Sequence, residues 1–155
     1  MLDAAVRLSL QVQYAICGIF DLAYNGEGEP IQIRVICERQ EIPARYLEQI
    51  FQRLRRAQLV ASKRGPGGGY TLARPASDIT LRSVVEAVEG PLDEALEMTA
   101  GPGASGEGYR PTFLWQDLAA RFAAALDEIT LESLCRDAAR HDVRRAHPEA
   151  PMYFI

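Results

Sequence analysis

The sequence has little of what covalent and metal chemistry needs. Three cysteines and two histidines occur in 155 residues. Cys17, Cys37 and Cys135 are an odd number without a close pair, which excludes a disulfide framework and a CxxC zinc or redox motif and suits a reducing compartment. His141 and His147 stand apart in a polar tail, so no metal ligand set is assigned. No stretch reaches the roughly 20 uninterrupted apolar residues of a membrane span. The start of the chain carries Asp3 and Arg7 among scattered apolar residues, where a signal peptide would have a continuous apolar core. These absences predict a cytoplasmic protein with no membrane partner. The glycine-rich run Arg64–Tyr70 lacks the Lys-Ser/Thr of a phosphate-binding P-loop and opens no helix. No nucleophile stands near a histidine, so an enzyme is not expected and no catalytic residue is assigned.

What is present is an ordinary globular composition, 48% apolar and 25% charged, in a chain long enough for one domain with an appended helix or tail. The net charge of −4 argues weakly against nucleic acid, but its distribution argues the other way. From Arg34 to Arg74 there are nine basic and three acidic residues, against 8 basic and 18 acidic elsewhere. A basic module can neutralise phosphates while an acidic remainder keeps the chain soluble. An arginine-rich solvated helix face has the same composition, so charge alone does not decide.

Val6 to Tyr24 reads as an apolar-rich helix, closed by Asn25-Gly26, a pair suited to the left-handed conformation at a helix end. Ile31 to Gln40 is a short helical pattern through Ile33, Ile36 and Cys37. Pro43 suits the first turn of the next helix, where Tyr46, Leu47, Ile50, Phe51 and Leu54 recur at helical spacing. Arg45, Glu48, Gln49, Gln52, Arg53 and Arg56 occupy its other face. Two short helices with so brief a turn predict a helix-turn-helix, whose second helix offers a polar face to a groove. Leu59–Ser62 and Tyr70–Leu72 read as a hairpin following it, a wing. Thr80 caps a further helix, Leu81 to Val88, ended by Gly90-Pro91.

Residues 100 to 108 hold four glycines, one proline and no large side chain, a loop that divides the chain. Phe113 to Ile129 then forms a long helix, with Leu114, Trp115, Leu118, Phe122, Leu126 and Ile129 at three-four spacing. So broad an apolar surface predicts packing on a second copy of the chain; a helix buried within the monomer would carry the same pattern. Thr130 opens a last helix to about Arg140. The tail His141 to Ile155 is polar first and apolar at its end.

The block Tyr46-Leu47-Glu48-Gln49-Ile50-Phe51, then Leu54-Arg55-Arg56-Ala57, then Arg64-Gly65-Pro66-Gly67-Gly68-Gly69-Tyr70 resembles the IscR/NsrR/CymR (Rrf-type) family of bacterial winged-helix transcription regulators. Val88-Glu89-Gly90-Pro91 and Leu114-Trp115 with Ile129-Thr130-Leu131 extend the resemblance over roughly residues 7 to 136. It implies a mainly α fold with a small β-hairpin wing, a winged helix-turn-helix plus a long C-terminal dimerisation helix. The implied layout is a DNA-binding domain over 1–91, a glycine-rich loop over 92–111, a dimerisation region over 112–140 and a tail over 141–155. The implied partners are double-stranded DNA and a second copy of the chain, in a repressor of a palindromic operator. DNA contact is implied for Arg45, Tyr46, Glu48, Gln49, Arg53, Lys63, Arg64, Gly67 and Gly68. Glu accepts from a cytosine amino group, Gln pairs with adenine, and an Arg reads a narrow minor groove. Lys63, Arg53 and Arg34 suit phosphates. Trp115, Leu118, Phe122, Leu126 and Ile129 are implied at the dimer seam.

Two departures from the family pattern matter. Cluster-binding members carry three cysteines and a further ligand in the loop before the dimer helix, whereas Glu94–Thr112 contains neither cysteine nor histidine. No iron–sulfur cluster and no metal are expected there. Tyr109 and Thr112 stand near the emptied positions and are candidates for an effector loop. In the first helix Gln11 and Gln13 replace basic residues, which weakens phosphate contact. The signal is therefore open. Cys17 and Cys37 read as core residues. Cys135 reads as less buried, which admits a thiol-based redox sensor using Cys135, Cys17 or Cys37. An unknown small effector fits the same residues, as does a regulator or interaction module acting through a protein partner.

Overall fold

The computed structural model describes residues 8–92, 109, 111 and 113–147. Helix α1 spans Leu10–Asn25 and is the hub of the core, with Val12, Ala15, Ile19 and Leu22 turned inward at three-four spacing. Its start is later than the apolar pattern predicts. Ser9 adopts an extended backbone and its hydroxyl accepts the Val12 N–H at 3.2 Å, capping the helix ahead of Leu10. Its end also differs. Gly26 is right-handed (φ −77°), still donating to the Leu22 carbonyl at 3.0 Å, and the left-handed residues are Glu27 and Gly28.

Helix α2 (Ile33–Gln40) begins two residues later than expected, because Ile31 is drawn into a strand-like bridge. Its N–H donates to the Tyr70 carbonyl at 2.9 Å, and its carbonyl accepts the Tyr70 N–H at 2.8 Å. Glu41, in the left-handed conformation, ends α2, and Ile42-Pro43 completes a tight turn into α3 (Ala44–Arg56). Leu47, Ile50, Phe51 and Leu54 form the buried stripe of α3, as their spacing predicts. They pack on α1 where it carries Gly18. A Cβ at Gly18 would stand 2.9 Å from Leu47 Cδ1 and from Phe51 Cε2, so the missing side chain sets how close the two helices lie.

The wing is an antiparallel hairpin of β1 (Val60–Lys63) and β2 (Gly69–Leu72), in register Val60 with Leu72 and Lys63 with Gly69. Its loop closes with Gly68 N–H donating to the Gly65 carbonyl at 2.9 Å, Gly67 taking φ 73° at the position a type II turn reserves for such a backbone. A short 3₁₀ turn, Ala76–Asp78, leads to α4 (Leu81–Glu89), capped by Thr80 and stopped by Gly90 at φ 87°.

Helix α5 runs over Phe113–Asp127 and α6 over Leu131–Arg140. Helix α5 stops short of Ile129 because that residue's carbonyl accepts the Leu81 N–H at 2.9 Å. Ile79-Thr80-Leu81-Arg82-Ser83 and Ile129-Thr130-Leu131-Glu132-Ser133 are near repeats, each placing a threonine cap three residues before a serine. The two caps pair antiparallel through Thr80 and Thr130, which docks the start of α6 beside that of α4. Helix α6 lies against α1. One charged side chain is buried among the described residues: Asp21 on α1, 0% exposed, takes Arg39 Nε at 3.1–3.2 Å and Gln40 Nε2 at 2.9 Å.

At Gly69 the backbone (φ 146°) lies so near Ile31 that a Cβ would run into the Ile31 carbonyl, whereas Gly67 has open space around it. Gly69→Ala is expected to cost at least about 2 kcal/mol and Gly67→Ala about 1, the backbone strain alone. Thermal unfolding of the two variants checks this; equal melting temperatures would refute the close approach of Ile31 to the wing.

Candidate nucleic-acid interface

With its apolar stripe seated on α1, α3 turns Arg45, Tyr46, Glu48, Gln49, Gln52 and Arg56 outward. Residues 45, 48, 49, 52 and 56 share one helical face, which is the exposed face of a helix-turn-helix. Tyr46 is steadied on both sides. Tyr14 of α1 lies against it at 6.3 Å between ring centroids, and the Arg45 guanidinium sits over its ring at 4.6 Å while donating to its hydroxyl at 2.8 Å. The side chains of Glu48 and Gln49 make no hydrogen bond to the rest of the chain among the described residues, which leaves their polar ends facing solvent. Lys63 and Arg64 are exposed where β1 enters the wing loop.

The basic residues divide by what holds them. Arg53, assigned to phosphate from its place on the polar side of α3, is half-buried and donates to Gln11 Oε1 at 2.9 Å and to the Val88 carbonyl at 3.2 Å. It fastens α3 to α1 and α4. Gln11, where the family often carries a basic residue, is thus the acceptor that holds it. Arg55 donates to Ser62 Oγ at 3.1 Å, and Arg74 to the carbonyls of Ala57 and Gln58 at 3.3 and 3.2 Å. Arg39 is taken by Asp21, and Arg34 leans toward Glu38 at 3.6 Å in the open. Arg56, Lys63 and Arg64 make no such bond among the described residues. Gly67 is exposed, but Gly68 is buried, with the Lys63 and Gly65 carbonyls where a side chain would go, so its role is to shape the wing.

On α5, Trp115, Leu118 and Phe122 are 45%, 42% and 38% exposed, and Ile129 just beyond its end is 39% exposed. Leu126 departs from the expected seam. It is 8% exposed and joins the monomer core with Ala123, while Ala125 takes the outward position. The helix thus has two apolar faces, one inside and one unpartnered, which explains why its pattern is too broad for a single core. Tyr109 is almost fully exposed. Thr112 and the glycine-rich stretch over 93–108 lie outside the described residues, as do 148–155 of the tail.

Two of the three cysteines, Cys17 and Cys135, are placed differently from expectation. Cys17 is exposed, on the side of α1 opposite its buried row, and Cys37 is buried as expected. Cys135 is wholly buried beside Leu131 and Ala138, and that burial pushes its thiol up to about 12, against a smaller downward pull from Arg145. A thiol so placed is neutral and inaccessible at physiological pH, which removes it as a redox sensor and as a link between subunits.

Residues 8–137 match the model of the family described as Rrf2, iron-dependent transcriptional regulator. The chain is 40% identical over 146 residues to the HTH-type transcriptional regulator IscR of Cronobacter sakazakii, covering 94% of this chain and 90% of that protein. It is 40% identical over 129 residues to IscR of Escherichia coli, covering 83% and 80%. Among solved structures, IscR of T. potens superposes with a TM-score of 0.71 at 30% identity, over 92% of this chain and 96% of that one. CymR, the global cysteine regulator of B. subtilis, superposes with a TM-score of 0.69 at 30% identity, over 86% and 98%.

Maleimide at pH 7.5, read by mass spectrometry, is expected to label Cys17 in the folded protein, and Cys37 and Cys135 only after denaturation. Labelling of Cys135 in folded protein would contradict its burial.

Proposed function

The chain belongs to the Rrf2 family of transcriptional regulators, and we propose that it works as a homodimeric repressor binding a palindromic operator. The observation that carries this reading is the pairing of an outward polar row on α3 with an exposed, arginine-bearing wing on the same rigid core. In this reading Glu48 and Gln49 meet base edges in the major groove, and Arg45 and Tyr46, held against each other, enter beside them with little ordering cost. Arg64 reaches the minor groove, where its charge reads width and potential. Lys63, Arg34 and Arg56 neutralise phosphates, which positions the protein without specifying sequence. Arg53 contributes by fixing α3 on its neighbours. Residues 1–91 form the DNA-binding unit, 92–111 the connecting loop, 112–140 the pairing region and 141–155 the tail.

Dimerisation is assigned to Trp115, Leu118, Phe122 and Ile129. An exposed stripe of large apolar side chains on one helix is the usual mark of an interaction surface, and a two-fold dimer matches a palindromic site. The family description names iron, but the residues present do not fit a thiolate-held cluster. The whole chain has three cysteines, on α1, α2 and α6, with two of them buried, and the stretch before α5 has no cysteine or histidine. The signal is thus assigned to something other than a cluster.

Affinity selection of fragmented genomic DNA by the reduced protein is expected to enrich a few palindromic sites; no enrichment by folded dimer would refute the reading. For an enriched site, Arg64→Ala is expected to weaken binding about five- to thirtyfold and to flatten the salt dependence that counterion release produces. Unchanged affinity would remove the wing role. Phe122→Glu is expected to yield a folded monomer by light scattering, with operator affinity lowered far more than that of the Arg64 variant. A dimer that survives this change would exclude the α5 seam.

A further inference from the structure

Away from the DNA-facing surface, the chain beyond α6 crosses back over the end of α1. Four contacts hold this strap. The Tyr24 hydroxyl donates to the Val143 carbonyl at 2.9 Å, and the Ala146 N–H donates to Asn25 Oδ1 at 2.9 Å. Arg145 donates to the Tyr24 carbonyl at 3.2 Å and lays its guanidinium over the Tyr24 ring at 4.7 Å. Tyr24 is itself stacked on Phe20 at 4.9 Å. Between strap and helix-turn-helix lies a cavity of about 330 Å³, lined among others by Phe20, Asp21, Arg39, Gln40, Arg144 and Arg145.

Its charge is unbalanced. Three arginines line it against one carboxylate, and Asp21 already accepts from Arg39 and Gln40. Neither Arg144 nor Arg145 forms an ion pair among the described residues. Arg145 is held flat by stacking and spends one donor on the Tyr24 carbonyl, which leaves a planar, pre-ordered fork for an anion. The Phe20 ring adds an apolar wall. The volume is at the small end of ligand sites, about 300–1,000 Å³.

We propose that this cavity binds a small organic dianion, a dicarboxylate, held by Arg144 and Arg145 on the strap against the wall formed by the Asp21-paired Arg39 of α2. Such a ligand neutralises the excess charge and ties the strap to α2, the first helix of the helix-turn-helix, so it changes how firmly α3 is presented to DNA. The binding site stands on the cavity itself; its regulatory consequence rests on the DNA-binding reading.

The test starts with the protein alone. Succinate is titrated at constant ionic strength by calorimetry and thermal shift, with succinamide as the neutral counterpart and inorganic phosphate as the compact anion. Saturable binding of succinate and none of succinamide is expected, weakened about tenfold or more in Arg144→Gln and in Arg145→Gln. Arg121→Gln, whose parent side chain pairs with Asp117 on α5 at 3.1 Å, is expected to bind as wild type. Arg144→Gln keeps the test decisive if loss of Arg145 loosens the strap. No saturable succinate binding, binding that survives Arg144→Gln, or binding of phosphate alone would each overturn the dicarboxylate assignment. In a second arm, succinate is expected to change the affinity of wild type, but not of Arg144→Gln, for a selected operator by several fold. An affinity that succinate leaves unchanged, although succinate binds, would overturn the regulatory role and leave operator binding intact. A protein that takes succinate but binds no operator would overturn the DNA reading and leave the site standing.

Discussion

The seat of Phe51 is the constraint on which the rest of this structure depends. Its ring is wholly buried, packs edge-on against Tyr70 of the wing at 4.9 Å between centroids, and fills the space that Gly18 leaves open on α1. Because α3 is locked to α1 on that side, its rotation about its own axis is set, and with it which residues face outward. Tyr70 carries the same constraint into the wing, since its backbone is bridged to Ile31 at the head of α2. Helix, turn, recognition helix and wing are thus bound into one body by a close-packed aromatic contact, and interiors packed this tightly transmit small shifts instead of absorbing them.

Around that body the arginines are divided between holding the fold and meeting solvent. Arg53, Arg55 and Arg74 spend their donors on neighbouring elements, and Arg39 answers the buried Asp21. Removing one partner of such a buried pair is costly, because the other charge is left without water or counter-charge. The pair therefore joins α1 to the end of α2 more firmly than an exposed pair such as Arg34 with Glu38, which is worth little in water. The positive excess of the segment from Arg34 to Arg74 is in good part internal bracing. What is left facing solvent is Arg34, Arg45, Arg56, Lys63 and Arg64, the charges available to the proposed phosphate contacts.

The second half of the chain follows a different logic. Helix α5 uses Ala119, Ala123 and Leu126 to lie close on the monomer core and keeps its larger residues for the outside. Large apolar side chains kept on the outside are the reverse of a helix that finishes its packing within one chain, which is why the proposed pairing surface is placed there. The Thr80–Thr130 pairing then returns the chain to the DNA-binding body, so that α6 and the strap over Tyr24 lie against the same helix that seats α3.

The sequence by itself determined the elements that depend on local rules. The three-four spacing of Leu47, Ile50, Phe51 and Leu54, the brief turn around Pro43, the glycines of the wing and the threonine caps each act within a few residues, so helix-turn-helix and wing were legible, with strand and helix ends off by at most four residues. The family resemblance rested on those same residues. Tertiary structure decided whatever depends on a partner distant in the chain. Ile31 left the helical pattern because Tyr70 offered a bridge, Leu126 turned inward because α5 settled on its alanines, and Cys135 vanished into the core because α6 docked on α1. Asp21 gave no local signal of its partnership with Arg39, and Arg53 looked like a solvent-facing charge until Gln11 and Val88 were brought beside it. The physical reason is the same in each case: periodicity sets which residues can share a face, but only the packing of one face on another determines which of them lose water.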